Sequence, residues 1–144
     1  RYAFGSTEFH VLRPSREVDG KFLYYTTFNP VFRAYAAQNM TGAAGQKRVS
    51  SRFLKDTRLF LPPLPEQQVI AAFLDASCAV IDAVASLDKR SGPNRGLLNQ
   101  QMETLTSYRK SLIHECVTGQ RRVTEEDLRH AGRAGSIHAV ERSP

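Results

Sequence analysis

A chain of 144 residues, 41% of them hydrophobic, has room for about one ordinary domain. No apolar run approaches the ~20 residues of a membrane span, and no signal-peptide pattern opens the chain. Cys78 and Cys116 are isolated, which leaves no disulfide scaffold or CxxC site and points to a reducing cytosol.

The net charge of +6 is unevenly spread. Residues 1–60 hold ten Lys/Arg against four Asp/Glu, residues 61–119 five against six, and residues 120–144 five against four. An excess confined to the first sixty residues fits either an anionic partner for that segment or a solvated basic face.

In chain order, RYAFGSTEFHVLRP (1–14) reads as the middle of a strand-rich region, so the chain is expected to be a fragment lacking its N-terminal part. Asp19-Gly20 is a turn signal, and FLYYTTF (22–28) has the β-branched and aromatic content of a strand. VFRAYAAQ (31–38) is a short helix with Pro30 at its first position. TGAAGQ (41–46) is a loop, RVSSRFL (48–54) opens a short helix, and TRLFLP (57–62) is a strand stopped by proline.

The prolines of LFLPPLPEQQVIAAFLD (59–75) form a stiff joint. Pro62, Pro63 and Pro65 fix their own φ and push each preceding residue out of the α region. Beyond them Ile70, Leu74, Ile81 and Val84 share one helical face. Glu66 in the first turn suits the helix dipole. A second helix over 97–118 carries Leu98, Met102, Leu105 and Leu112 at near-heptad spacing, with Arg109 in the seam and Thr118-Gly119 as its stop. SGPNRG (91–96) breaks or bends the helical region between them, and 120–144 is polar enough to be expected disordered.

No Gly-rich phosphate loop, HExxH, GxSxG elbow, Asn-Pro-Pro-aromatic motif or acidic nuclease cluster occurs in the sequence. His10, His114, His130 and His138 are scattered. A non-catalytic role follows, with the apolar helices as surfaces for an antiparallel partner. The loop TGAAGQKRV (41–49) combines backbone freedom with Gln46, Lys47 and Arg48, residue types that contact adenine, phosphate and guanine respectively. It is otherwise a mobile basic loop without a ligand.

The segments GSTEFHVLRP (5–14), GQKRVSSRFL (45–54), LPPLPEQQVIAAFLD (61–75), VIDAV (80–84) and SYRKSLIHECVTGQ (107–120) resemble, in order, the specificity subunit of type I restriction-modification systems. The resemblance implies an α+β arrangement. Residues 1–62 would be part of a small β-rich target-recognition domain, and residues 63–119 a coiled-coil-like helical spacer with a break near 91–96. It implies that the subunit reads one half of a split site in double-stranded DNA, in the prokaryotic cytoplasm. Methyltransferase and restriction subunits would be its partners and would hold S-adenosylmethionine, ATP and Mg, leaving no cofactor in this chain. DNA contact is assigned to Lys47 and Arg48, with Gln46 as base reader and Arg1, Arg13, Arg16 and Lys21 as weaker phosphate contacts. Helix pairing, with a second helical region of the subunit or another copy, is assigned to Ile70, Leu74, Ile81, Val84, Leu98, Met102, Leu105 and Leu112. A spacer helix of this length would measure about 35 Å, close to one turn of B-DNA. The alternative is a helical dimerisation or scaffold module without specific DNA binding.

Overall fold

The computed structural model describes residues 9–43, 45, 47–88 and 95–140. Among the described residues lie six helices and one two-stranded sheet: α1 (Gly20–Phe28), α2 (Pro30–Gln38), β1 (Met40–Thr41), β2 (Arg48–Val49), α3 (Ser51–Asp56), α4 (Leu64–Asp88), α5 (Arg95–Val117) and α6 (Glu125–Val140). The molecule is therefore mainly helical, and among the described residues of the first sixty the only strands are β1 and β2 rather than the β-rich unit expected; residues 1–8 of the expected strand-rich opening lie outside the described residues. The sheet is a single antiparallel hairpin in which Met40 pairs with Val49 and Thr41 with Arg48.

The largest correction concerns FLYYTTF, which is helical. Asp19, expected in a turn, is instead the N-cap of α1, its carboxylate accepting from the backbone N–H of Lys21 and Phe22 at 2.9 Å. The helical turn then puts Phe22, Tyr25 and Thr26 on one buried face, and that packing outweighs their strand preference. Asn29 ends α1 and begins α2, its side chain accepting from Val31 N–H with Pro30 at the helix start as expected. Ser50 caps α3 in the same way through Phe53 N–H.

Residues 57–62 form no strand, because no neighbouring strand is there among the described residues to supply a ladder. The segment runs extended to the proline joint and lays Phe60 on Gly119, just past the end of α5. Gly119 has φ +74 and closes α5 as its sequence position predicts.

At 25 residues α4 is about 37 Å long. Its stretch Leu64–Ser86 is long and apolar enough to cross a membrane by length and composition only, although Glu66, Asp75 and Asp82 interrupt any continuous apolar run. Its apolar side is instead partly spent inside the protein. Ile70, Ala71, Phe73 and Leu74 form one cluster with Phe22 and Tyr25 of α1, Leu112, Ile113, Cys116 and Val117 of α5, and Val123. Residues from both sides of the proline joint thus contribute to one cluster.

α5 returns antiparallel to α4. Arg109 pairs with Asp82 and reaches the Cys78 carbonyl at 3.5 Å, while Met102 and Leu105 face Ile81 and Ala85 nearer the far end. The two predicted helices thus pair with each other within the chain. The SGPNRG break falls largely outside the described residues; α5 is already helical at Arg95.

The tail expected to be disordered contains α6. Thr124 and Asp127 form a reciprocal cap, Thr124 N–H donating to the Asp127 carboxylate at 2.9 Å and Asp127 N–H to the Thr124 hydroxyl at 3.2 Å. Arg121 pairs with Asp127 at 3.3 Å and lies 5.2 Å from the centre of the Phe73 ring. Leu128 and Ala131 then pack on the core. Both cysteines are free. Cys116 is fully buried, and burial pushes its thiol up to about 11 and that of Cys78 upward, so both are packing groups at neutral pH.

Candidate nucleic-acid interface

The hairpin projects from α2 and is turned by Gly42 and Gly45, whose φ of 130 and 82 no ordinary side chain would favour. Its returning side carries Lys47 and Arg48, both exposed. Facing them are Tyr24, Thr27 and Phe28 on α1 and Arg33 on α2, and the lead segment adds Phe9 and His10. His10 Nε2 donates to the Val49 carbonyl at 2.7 Å, which ties the lead segment to β2. Together these residues line an open groove of about 1160 Å³.

The groove is cationic and aromatic. The Arg33 guanidinium lies 5.6 Å from the Phe28 ring centre, and the Phe28 and Tyr24 rings are 4.7 Å apart. Phe9 is 70% exposed, Tyr24 55% and Phe28 42%, so the groove presents three open aromatic rings. Guanidinium and ammonium groups of this kind bind phosphate oxygens, while flat exposed rings stack on sugars or bases.

A second groove of about 650 Å³ lies between α2, α3 and the end of α5. Tyr35 and Phe53 pack at 5.1 Å there, and Arg52 is paired with Asp56 at 3.4 Å, so its positive charge is offset locally.

The predicted DNA-contact residues divide. Lys47 and Arg48 lie on the first groove. Gln46 and Arg1 lie outside the described residues. Arg13 and Arg16 are exposed on the lead segment but do not line the groove. Lys21 faces α4 and pairs with Asp75; the hydrogen bond and charge of that carboxylate raise its pKa, making it a brace between α1 and α4. The same Asp75 accepts from the Tyr25 hydroxyl at 2.8 Å.

Sequence reasoning missed Arg33, Tyr24, Phe28 and Phe9. A helical reading of 20–28 would have aligned Tyr24 with Phe28, four residues on, beside the Arg of the next helix.

Of the predicted pairing residues, Ile70, Leu74 and Leu112 are in the shared core, and Ile81 is buried. Met102 and Leu105 are half-buried against α4, Val84 is exposed, and the Leu98 side chain lies outside the described ones. Among the described residues no cluster of three or more His, Cys, Asp or Glu could hold a metal ion.

A family model described as the type I restriction modification DNA specificity domain matches residues 2–86. The type I restriction enzyme EcoAI specificity subunit of Escherichia coli is 33% identical over 102 residues, which is 70% of this chain and 17% of that protein. The EcoBI specificity subunit of the same organism is 37% identical over 87 residues, 60% of this chain and 16% of the relative. The EcoEI specificity subunit, also from Escherichia coli, is 31% identical over 102 residues, 70% of this chain and 17% of the relative. The chain thus spans about a sixth of the length of these curated relatives. No solved structure matches it significantly.

Proposed function

The chain belongs to the type I restriction modification DNA specificity domain family, and we propose on that premise that it is the DNA-reading, non-catalytic part of a type I restriction-modification complex. It reads one half of a bipartite site in double-stranded DNA. Methyltransferase and restriction subunits perform the chemistry and hold S-adenosylmethionine, ATP and Mg, in the bacterial cytoplasm. The observation that carries this reading is the groove in which Arg33, Lys47 and Arg48 stand beside exposed Phe9, Tyr24 and Phe28, in the part of the chain that holds the whole positive excess. Gln46 is assigned as the base reader, and Arg13 and Arg16 extend the phosphate track.

The α4–α5 pair serves as the strut on which this head is mounted. Because its inner stripe is already used, a second helical region of the subunit or another copy would meet it through outward residues such as Val84 and Tyr108, which are 38% and 53% exposed.

Salt titration of duplex binding tests the reading. Each cation on a phosphate contributes about −0.9 to the slope of log affinity against log salt, so the three groove cations alone contribute about −2.7, roughly a 40-fold loss between 50 and 200 mM, and Arg13 and Arg16 add to it. Lys47→Ala and Arg33→Ala should each lower that slope by about 0.9, whereas Lys21→Ala leaves it unchanged. No measurable duplex affinity at low salt would refute the reading.

A further inference from the structure

Gln67 sits in the first turn of α4 and is fully buried, which is rare for an amide side chain. Its two ends meet three backbone groups from two other segments. Oε1 accepts from Asp19 N–H at 2.8 Å, and Nε2 donates to the Glu17 carbonyl at 2.9 Å and the Pro62 carbonyl at 2.8 Å. Both donors are used and one acceptor lone pair. Reversing the amide would set N–H against N–H and oxygen against two carbonyls, so its orientation is determined by its partners.

From this residue we infer that Gln67 is a positioning residue for the cationic groove, an assignment that rests on the DNA-reading function only for its purpose. The amide ties the lead segment and the proline joint to the start of α4. Asp19 passes the constraint on, since its carboxylate caps the helix that presents Tyr24 and Phe28. The lead segment is held at its other end by His10 on Val49, so its groove wall is fixed at both ends. The proline joint is gripped by the same side chain, with Glu66 N–H and Gln67 N–H donating to the Pro63 carbonyl at 2.9 and 3.1 Å.

No other side chain fulfils this role. Glutamate can accept from Asp19 N–H, but it turns a carboxylate oxygen toward two carbonyls. Asparagine is one methylene short. Methionine fills the space yet leaves one N–H and two carbonyls unpaired away from water.

The experiment is residue-resolved hydrogen exchange and backbone relaxation on the full chain. In Gln67→Met the Asp19 amide should exchange about tenfold faster or more, the measure of one buried hydrogen bond. Residues 9–18 should lose order, while amides of the core positions Leu74 and Leu112 keep their protection. Gln67→Glu should loosen residues 9–18 at neutral pH, where a carboxylate oxygen faces two carbonyls, and recover in part as its carboxyl protonates, because the neutral acid regains one donor. A loss of packing alone would not show that acid-side recovery. Unchanged exchange at Asp19 and unchanged order over 9–18 in Gln67→Met would overturn the inference. If Gln67→Met fails to fold, the glutamate variant decides: acid-side recovery supports the clamp, and a lead segment indifferent to pH sinks it. None of these readouts needs DNA, so they stand apart from the salt titration that judges the DNA-reading function.

Discussion

Truncating Leu74 to alanine measures how far the first sixty residues and the long helices are one folding unit. Leu74 has no solvent exposure, and its cluster draws Phe22 and Tyr25 from α1 and Leu112 and Cys116 from α5. Removing its isobutyl group leaves a void that side chains from three helices would have to close together. Substitutions of this kind cost about 2.7–5.0 kcal/mol, and a site walled by three elements belongs near the middle, at about 3–4 kcal/mol. That is a large part of the ~5–15 kcal/mol a domain possesses, and it corresponds to a fall in Tm of roughly 10 °C. The assay is urea and thermal unfolding followed by two probes. Far-UV circular dichroism reports mainly the long helices, and tyrosine fluorescence, usable because the chain has no Trp, reports Tyr25 among others. Both transitions should shift together by the full amount. A cost below about 1 kcal/mol, or a tyrosine transition that stays put while the helical signal moves, would refute a shared core.

Gly119→Ala should cost about 1–3 kcal/mol, because φ is +74 and a Cβ would stand 2.8 Å from the Phe60 ring; adding Phe60→Ala should recover the steric share in denaturant unfolding. Burial and the hydrogen bond to Asp75 hold the Tyr25 phenol well above its ordinary 10.0. Its raised folded pKa stabilises the fold fully below pH 10 and less as pH rises beyond it, so absorbance titration should find one of five tyrosines silent until alkaline unfolding. Hydrogen bonds from Thr124 hold Asp127 below its ordinary 3.8, so its contribution is present above that pH and fades as pH falls through the lower folded value. Exchange protection in α6 should drop over that acid window in the native chain and show no such step in Asp127→Asn. Arg109→Leu should stay within about 1 kcal/mol of the parent in urea unfolding, since the Arg109 Nε is buried without a partner and Asp82 is mostly exposed. A loss above about 3 kcal/mol would mean that the pair holds α4 to α5.

The long helices were legible because their signals are local and repeated. Ile70, Leu74 and Ile81 recur at helical spacing, three prolines stop the preceding segment, and Gly119 marks an end that only a left-handed residue closes. The capping pattern Thr124-Glu-Glu-Asp127 also precedes α6, whereas the polar composition of 120–144 points to disorder. FLYYTTF failed for a different reason: β propensity describes how side chains suit a half-buried pleat, and these side chains met α4 and α5 instead.

By itself, then, the order of residues determined where the chain stiffens, where the two long helices run, which end is positively charged and which family it resembles. Each of these depends on neighbours within a few positions or on motifs in sequence order. Tertiary structure alone decided that the helical stripes meet each other, that Lys21 braces a helix through Asp75, and that Arg33 and three exposed rings join Lys47 and Arg48 around one groove. Those outcomes join residues up to 54 positions apart, as Lys21 and Asp75 are, and such contacts are selected by packing and burial over the whole chain rather than by any local preference.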